Sequence, residues 1–171
     1  EKLSPHSLAA LKLPQRLVIN ESFVQTLTMK ILSEKTVEYT GAFHSYFCVG
    51  SPETTEIPEL NHVGFDDKLI TGVEQTCVLK NGAGPIDRVY HSSDKVVIVD
   101  HQWQREIEVL SQGCQQWVLW NPGKGAQTMP DVHAQGEDEF VCLEAANTQW
   151  QAIASQASVN ISQTVKLHSK R

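Results

Sequence analysis

Apolar and polar side chains alternate along most of this sequence, which is the period-two pattern of half-buried β-strands. Residues 23–31 place large apolar side chains on one face and threonine and lysine on the other. Residues 36–49 repeat the pattern; one face carries Val37, Tyr39, Phe43 and Phe47, and the other carries Ala42, His44, Tyr46 and Cys48. Helical periodicity of useful length is almost absent. The pattern therefore predicts an all-β protein.

Further short runs have the composition of strands and are separated by turn-forming residues. The runs are 17–20, 76–79, 88–91, 96–100, 106–110, 117–120, 139–145 and 159–167. Clusters of Gly, Pro, Asn and Ser lie between them, at 50–52, 81–85, 111–113 and 121–125. About ten short strands with frequent turns predict an antiparallel β-sandwich. No internal repeat is visible, which argues against a propeller or solenoid.

Composition narrows the function classes. The 171 residues fit one domain, 1–171, and 14 Lys+Arg against 20 Asp+Glu argue against a nucleic-acid partner. No apolar run of about 18 residues occurs, so no membrane partner is expected. The chain lacks an initiator Met and a secretory leader pattern. We expect a cytoplasmic protein of which this chain is the C-terminal portion.

The cysteines and histidines do not form a metal-binding motif. Cys48, Cys77, Cys114 and Cys142 lie 29, 37 and 28 residues apart, which fits no zinc-ligand spacing. We expect four buried, reduced thiols. The seven histidines are scattered, and the motifs of nucleotide sites and zinc proteases are missing. The sequence predicts no metal and no cofactor.

Five polar or aromatic residues are candidates for chemistry. His44 interrupts an aromatic run and is either a core histidine or a titrating group facing a groove. Glu144 ends an apolar strand, where a carboxylate faces solvent or works in a site. Asp87, at the entry to a strand, suits ligand binding or turn capping. Trp120 and Asn121 end another strand and suit either a sugar platform or a wedge and turn.

Taken together, four segments carry a family resemblance. They are GAFHSYF at 41–47, IDRVY at 86–90, WNPG at 120–123 and FVCLE at 140–144. In this order they resemble the second half of the hexose-6-phosphate mutarotases, the glucose-6-phosphate 1-epimerase branch of the aldose 1-epimerase superfamily. The resemblance runs from about residue 26 to the C-terminus. It implies a large antiparallel β-sandwich of the galactose-mutarotase type, incomplete in this chain, with the sugar in an open groove across one sheet.

The resemblance also implies roles for individual residues. His44 corresponds to a general acid, Glu144 to a general base and Asp87 to a ligand of the sugar hydroxyls, and we add Trp120 and Asn121 as substrate-binding candidates. An Arg and His set that holds the phosphate and the sugar ring in the family lies upstream of the matching part, and the sequence shows no counterpart to it. The implied substrate is a hexose 6-phosphate or a related aldose, and the implied reaction is interconversion of its α and β anomers without a cofactor.

Two further interpretations stay open. One is a sugar-binding sandwich without catalysis, and the other is an inactive fragment with an exposed sheet edge. Glycoside hydrolysis is disfavoured, because it usually needs two carboxylates and the pair here is His44 and Glu144. For an epimerase, we expect these two side chains to face one groove a sugar's width apart.

Overall fold

Two antiparallel sheets of seven strands each form a sandwich in the computed structural model, which describes residues 11–70 and 74–169. The strands are β1 (Leu11–Lys12), β2 (Gln15–Ile19), β3 (Phe23–Ile31), β4 (Val37–Phe43), β5 (Tyr46–Cys48), β6 (Thr55–Glu56), β7 (Phe65–Asp67), β8 (Glu74–Gln75), β9 (Ile86–Tyr90), β10 (Val96–Asp100), β11 (Arg105–Gln112), β12 (Gln116–Asn121), β13 (Phe140–Ile153) and β14 (Ser158–Ser169). Short 3-10 helices lie at Pro52–Thr54, Pro58–Leu60, Gly123–Thr128 and Gly136–Asp138. Across the described ranges, no helix has the length and apolar character needed to cross a membrane.

The order of the strands brings distant parts of the chain side by side. The first sheet runs β1-β3-β14-β11-β10-β6, and β2 also pairs with β3. The second sheet runs β4-β13-β12-β9-β7-β8, and β5 also pairs with β13. The long strand β13 therefore has two partners along one edge, β5 at its beginning and β4 beyond it. The residues that join β4 to β5 lie beside the middle of β13.

The hydrophobic core fills the space between the two sheets. Its fully or nearly fully buried members include Ile31, Ile98, Val109 and Ile161 of the first sheet and Phe65, Tyr90, Trp117 and Leu143 of the second. In β13 the core residues Val141, Leu143 and Ala145 alternate with Cys142 and Glu144. Because successive side chains of a strand point to opposite faces, Cys142 and Glu144 lie on the outer face of the second sheet.

The all-β sandwich expected from the sequence is confirmed, and most of the strand runs agree with the structure. The prediction for 23–31 coincides with β3, whereas the run 36–49 is divided into β4 and β5. The strand expected at 76–79 is wrong. There the Cys77 carbonyl accepts from the His62 N–H, and the Leu79 N–H donates to the Asn61 side chain, so loop contacts replace a strand ladder. Strands β1, β6, β7 and β8 were not predicted, because strands of two or three residues are too short to show alternation.

A buried ion pair ties the first sheet to the end of β5. The Asp100 carboxylate, which is fully buried, accepts hydrogen bonds from the Gly50 and Trp103 N–H groups and pairs with the Arg105 Nε at 3.1 Å. Arg105 also donates to the Cys48 carbonyl. Since Cys48 ends β5, this network holds the strand that carries Tyr46 on the outer face of the second sheet.

Candidate active site

His44 and Glu144 meet on the outer face of the second sheet. Strands β5 and β4 pair with successive parts of β13 in one register, so that His44, between them, lies opposite Glu144. The Leu143 N–H bridges the gap in the ladder by donating to the Ser45 carbonyl at 3.1 Å. His44 Nε2 is 3.3 Å from Glu144 Oε1. The two predicted acid–base residues are therefore neighbours in space, although 100 positions separate them in the sequence.

The separation of His44 and Glu144 is smaller than a sugar's width, which was the distance expected from the sequence. His44 and Glu144 are in direct contact rather than a sugar's width apart, because directly opposite residues on paired strands have Cβ atoms only about 5 Å apart. The two side chains differ in accessibility. The His44 side chain is 53% exposed, whereas that of Glu144 is 9% exposed. A ligand that approaches this sheet face would contact the exposed imidazole first. It would then reach the carboxylate from the same side.

Burial sets the protonation behaviour of Glu144. Removal of the carboxyl group from water raises the pKa of Glu144, and the negative charge of Asp87 adds to that rise. The His44 imidazole and the hydrogen bond from Cys142 act in the opposite direction without cancelling it. A carboxylate with a raised pKa is a stronger proton acceptor than an ordinary surface glutamate, which is what a general base requires.

Other histidine–carboxylate pairs in the described ranges do not combine an exposed imidazole with a carboxylate as buried as Glu144. Their carboxylates are more exposed: Asp66 beside His91, Glu56 beside His101, Glu139 beside His133 and Glu108 beside His168. The distances are comparable, for example 3.3 Å for His101 and Glu56. The His44–Glu144 pair is thus distinguished by the burial of its carboxylate and not by its length.

Cys142 is a third member of this cluster. It was not predicted from the sequence as a site residue. Its Sγ lies 3.1 Å from His44 Nδ1 and 3.6 Å from Glu144 Oε1. The thiol is buried, and burial together with the charge of Glu144 raises the pKa of Cys142 well above its usual range. The available signal was the two-residue spacing to Glu144, which places both side chains on one face of a strand. The expectation of four buried thiols is wrong for Cys48, which is exposed, and for Cys77, which is partly exposed.

Aromatic side chains surround the imidazole of His44. Tyr46 stacks on it with ring centroids 5.0 Å apart, and Trp120 approaches it edge-on at 5.7 Å. Phe140 extends the group, 4.9 Å from Tyr46. An open pocket of about 420 Å³ begins at Tyr46 and Phe140, a volume in the range of small-molecule sites. These flat apolar surfaces suit the C–H faces of a sugar ring.

Asp87 shares this outer face. Trp120 pairs with Asp87 on one side and with Cys142 on the other, so these side chains form one row across β9, β12 and β13. Burial raises the pKa of Asp87, although the positive charge of Lys68 opposes the rise. The structure therefore brings Asp87 and Trp120 to the same sheet face as His44 and Glu144.

Asn121 is placed differently from the other four predicted site residues. It is 1% exposed, and its side-chain amide donates to the backbone carbonyls of Glu137 and Phe140 at 2.9 and 3.0 Å. Its Oδ1 accepts from the Gly123 N–H. Gly84 packs so closely on these groups that a Cβ there would collide with Asn121. In this structure Asn121 holds the turn after β12, the second of the two roles that its sequence allowed.

We predict that Asn121→Ala lowers the free energy of unfolding by about 1–3 kcal/mol, because buried carbonyls lose their donors. The substrate KM should change little, since the side chain points into the turn. Urea unfolding and steady-state kinetics on the same preparation measure both quantities. Asn160→Ala, on an exposed position of β14, is the control for stability. A large rise in KM with unchanged stability would contradict the turn-holding role.

This chain is similar to known proteins in both sequence and fold. The family model of aldose 1-epimerase matches residues 8–168. A candidate glucose-6-phosphate 1-epimerase of Cenchrus ciliaris is 27% identical over 156 residues, which cover 85% of this chain and 46% of the relative. The chain thus spans about half the length of the curated relative it matches.

Solved structures agree with the family match. A candidate mutarotase of Salmonella typhimurium superposes with a TM-score of 0.83 at 26% identity, covering 94% of this chain and 54% of the other. A candidate aldose 1-epimerase of Escherichia coli K12 superposes with a TM-score of 0.68 at 13% identity, covering 93% of this chain and 60% of the other, and shares the fold. With a family match over nearly its whole length and a sandwich of the mutarotase type, this chain belongs to the aldose 1-epimerase family.

Proposed function

We propose that the protein containing this chain interconverts the α and β anomers of a hexose 6-phosphate by acid–base ring opening. The observation that carries the proposal is the His44–Glu144 pair, in which an accessible imidazole contacts a buried carboxylate of raised pKa on an open sheet face. Family membership supports an aldose as the reactant class. The 6-phosphate rests on the Cenchrus ciliaris relative alone.

The proposed chemistry transfers two protons at neighbouring oxygens. Glu144 removes the proton from the O1 hydroxyl while His44, in its protonated form, delivers a proton to the ring oxygen, and the C1–O5 bond breaks to give the open-chain aldehyde. Rotation about the C1–C2 bond presents the other face of the carbonyl. Ring closure then reverses both transfers and returns each group to its starting state. No electrons are transferred, so these steps balance without an oxidant or reductant.

The close contact of the two groups is compatible with this reaction. O1 and the ring oxygen are bonded to the same carbon, so an acid and a base that serve them must also be near each other. The 3.3 Å contact of His44 Nε2 with Glu144 Oε1 places donor and acceptor side by side on the face that the substrate approaches. Each such group typically contributes about 10²–10⁴-fold to a rate.

Asp87 and the aromatic side chains supply binding in this proposal. The Asp87 carboxylate accepts hydrogen bonds from sugar hydroxyls, and Trp120 and Tyr46 pack against the ring carbons. Trp120 lies in register with both Asp87 and Cys142, so a sugar lying over its indole can touch Asp87 on one side and the acid–base pair on the other. The free cysteines and the phosphorylated substrate both suit a reducing cytoplasm, which we propose as the location.

The test follows the anomerisation of freshly dissolved α-glucose 6-phosphate by polarimetry or NMR. The protein should accelerate equilibration, and His44→Ala should reduce the acceleration by about 10²-fold or more. His101→Ala is the matched control, because His101 also contacts a carboxylate at 3.3 Å but lies in the turn after β10, a strand of the other sheet. Repetition with glucose separates the phosphorylated from the free sugar. Full activity of His44→Ala would overturn the assignment of the acid.

The second candidate function is sugar binding without catalysis. The aromatic group beside the open pocket favours it, because that surface would bind a sugar whether or not protons are transferred. Quenching of tryptophan fluorescence by glucose 6-phosphate, lost in Trp120→Phe, reports binding independently of turnover. Binding without acceleration of anomerisation would favour this function over the epimerase. The absence of both binding and acceleration would overturn both functions.

A further inference from the structure

His44, Cys142 and Glu144 place a nitrogen, a sulfur and an oxygen at one point of the outer face. One ligating atom from each lies within 4.8 Å of the others, and this is the one such group among the residues that the structure describes. Tetrahedral zinc with Zn–N and Zn–O near 2.0 Å and Zn–S near 2.3 Å requires ligand atoms roughly 3.3–3.5 Å apart. His44 Nε2 and Glu144 Oε1 are 3.3 Å apart, and Cys142 Sγ and Glu144 Oε1 are 3.6 Å apart. Cys142 Sγ faces the other ring nitrogen, His44 Nδ1, at 3.1 Å, so the imidazole must turn for one nitrogen to share an ion with both partners.

The charges of the three groups also suit a divalent cation. A thiolate and a carboxylate together carry two negative charges, and the imidazole binds metal in its neutral form. A divalent ion therefore gives a site without net charge, which matters where Cys142 and Glu144 are buried. Binding replaces the proton of the Cys142 thiol by the metal and releases that proton to solvent.

Access and selectivity follow from the same geometry. The half-exposed His44 ring offers the entry point, and its rotation can bring Nε2 toward the thiol. Three protein ligands leave a fourth position for water. A thiolate and an imidazole favour zinc and similar soft ions over magnesium or calcium, which prefer oxygen ligands.

We propose that His44, Cys142 and Glu144 form an inhibitory site for a thiophilic divalent cation of the zinc class. The bound ion would occupy the lone pairs of both the proposed acid and the proposed base, so it would block anomerisation rather than assist it. The inhibition rests on the proposed function, whereas the binding does not. No zinc-ligand spacing in the sequence pointed to this site, because β13 pairing alone brings position 44 to positions 142 and 144.

The binding is tested on the intact chain without an activity assay. Cobalt, used as a spectroscopic probe, should give the visible absorption of a tetrahedral site and a thiolate-to-cobalt charge-transfer band. Competition with a chromogenic chelator should show one equivalent of zinc. Cys142→Ser should abolish the charge-transfer band and weaken zinc binding by at least about tenfold, since loss of an outer-shell partner alone typically costs 10–100-fold. Cys48→Ser, at the exposed thiol of β5, is the matched control and should retain the band.

The inhibition is tested separately. Zinc should inhibit anomerisation with a midpoint close to its measured Kd, and that midpoint should rise at least about tenfold in Cys142→Ser relative to the variant's own uninhibited rate. Magnesium at the same concentration should not inhibit. If Cys142→Ser changed neither the zinc affinity nor the cobalt spectrum, the proposed metal site would be overturned. Zinc binding in a protein without epimerase activity would support the metal site but refute both the inhibition and the proposed function.

Discussion

Glu144→Gln should lower the rate of anomerisation by about 10²–10⁴-fold, because the amide has no lone pair basic enough to accept the O1 proton. The substitution keeps the size of the side chain and can still accept hydrogen bonds from the Cys142 thiol and the His44 ring. KM should change much less than kcat. Polarimetry with glucose 6-phosphate at several concentrations separates the two constants.

The pH dependence provides a second readout on Glu144. The base must be deprotonated in the free enzyme, so kcat/KM should fall as the pH drops through the pKa of Glu144. Because burial raises that pKa, the fall should occur at a higher pH than for a solvated glutamate. This acidic limb should vanish from the residual activity of Glu144→Gln.

A control and a stability measurement complete this experiment. Glu56→Gln removes a carboxylate that contacts His101 at 3.3 Å in the other sheet, and it should retain full activity. A carboxyl group whose pKa is raised by folding destabilises the native state above that pKa, so Glu144→Gln should be at least as stable as the parent protein at pH 8. Retained activity in Glu144→Gln would contradict its role as the base.

Asp100→Ala should lower the free energy of unfolding by about 3–5 kcal/mol, since removal of the buried carboxylate deprives the largely buried Arg105 guanidinium of its anionic partner and two backbone N–H groups of their acceptor. Asp100 is fully buried, and its carboxylate receives the Arg105 guanidinium and the backbone N–H groups of Gly50 and Trp103. Denaturant unfolding measured by intrinsic fluorescence gives the change. The destabilisation by Asp100→Ala is the largest stability effect that we predict.

Glu108→Ala is the matched control for this prediction. Glu108 of β11 also forms ion pairs, with Lys95 and Lys166, but both lysine side chains are about half exposed. Surface pairs of this kind contribute about 0–1 kcal/mol, so the substitution should cost less than 1 kcal/mol. Equal destabilisation by the two substitutions would show that burial does not decide the strength of the Asp100 network.

Much of the fold was predictable because its strands are long enough to show alternation. The prediction for 23–31 coincides with β3, and the face assignment of His44, Tyr46 and Cys48 agrees with their exposure. Strands of two or three residues such as β6 and β7 were not found, since so few positions carry no period. The strand expected at 76–79 is not formed, because its backbone groups bond to residues 61 and 62: the Cys77 carbonyl accepts from the His62 N–H, and the Leu79 N–H donates to Asn61 Oδ1.

The candidate site was only partly predictable. The motifs pointed to His44, Glu144, Asp87 and Trp120, and the structure brings these onto one sheet face. Asn121 has the same motif context but turns inward, because three backbone groups of the following loop accept or donate to its amide. Cys142 was predicted only as a buried thiol and not as a site residue, since a cysteine in an apolar run looks like an ordinary core residue.

By itself, the sequence determined the all-β class, the face of each long strand and the residue types available for proton transfer, because these follow from local alternation and side-chain chemistry. Only the tertiary structure decided which residues meet. The pairing of β13 with both β4 and β5 brings His44 to Glu144 and Cys142, and the burial that raises the pKa of Glu144 arises from that packing. Strand register and desolvation depend on contacts between segments about a hundred residues apart, which no local pattern encodes.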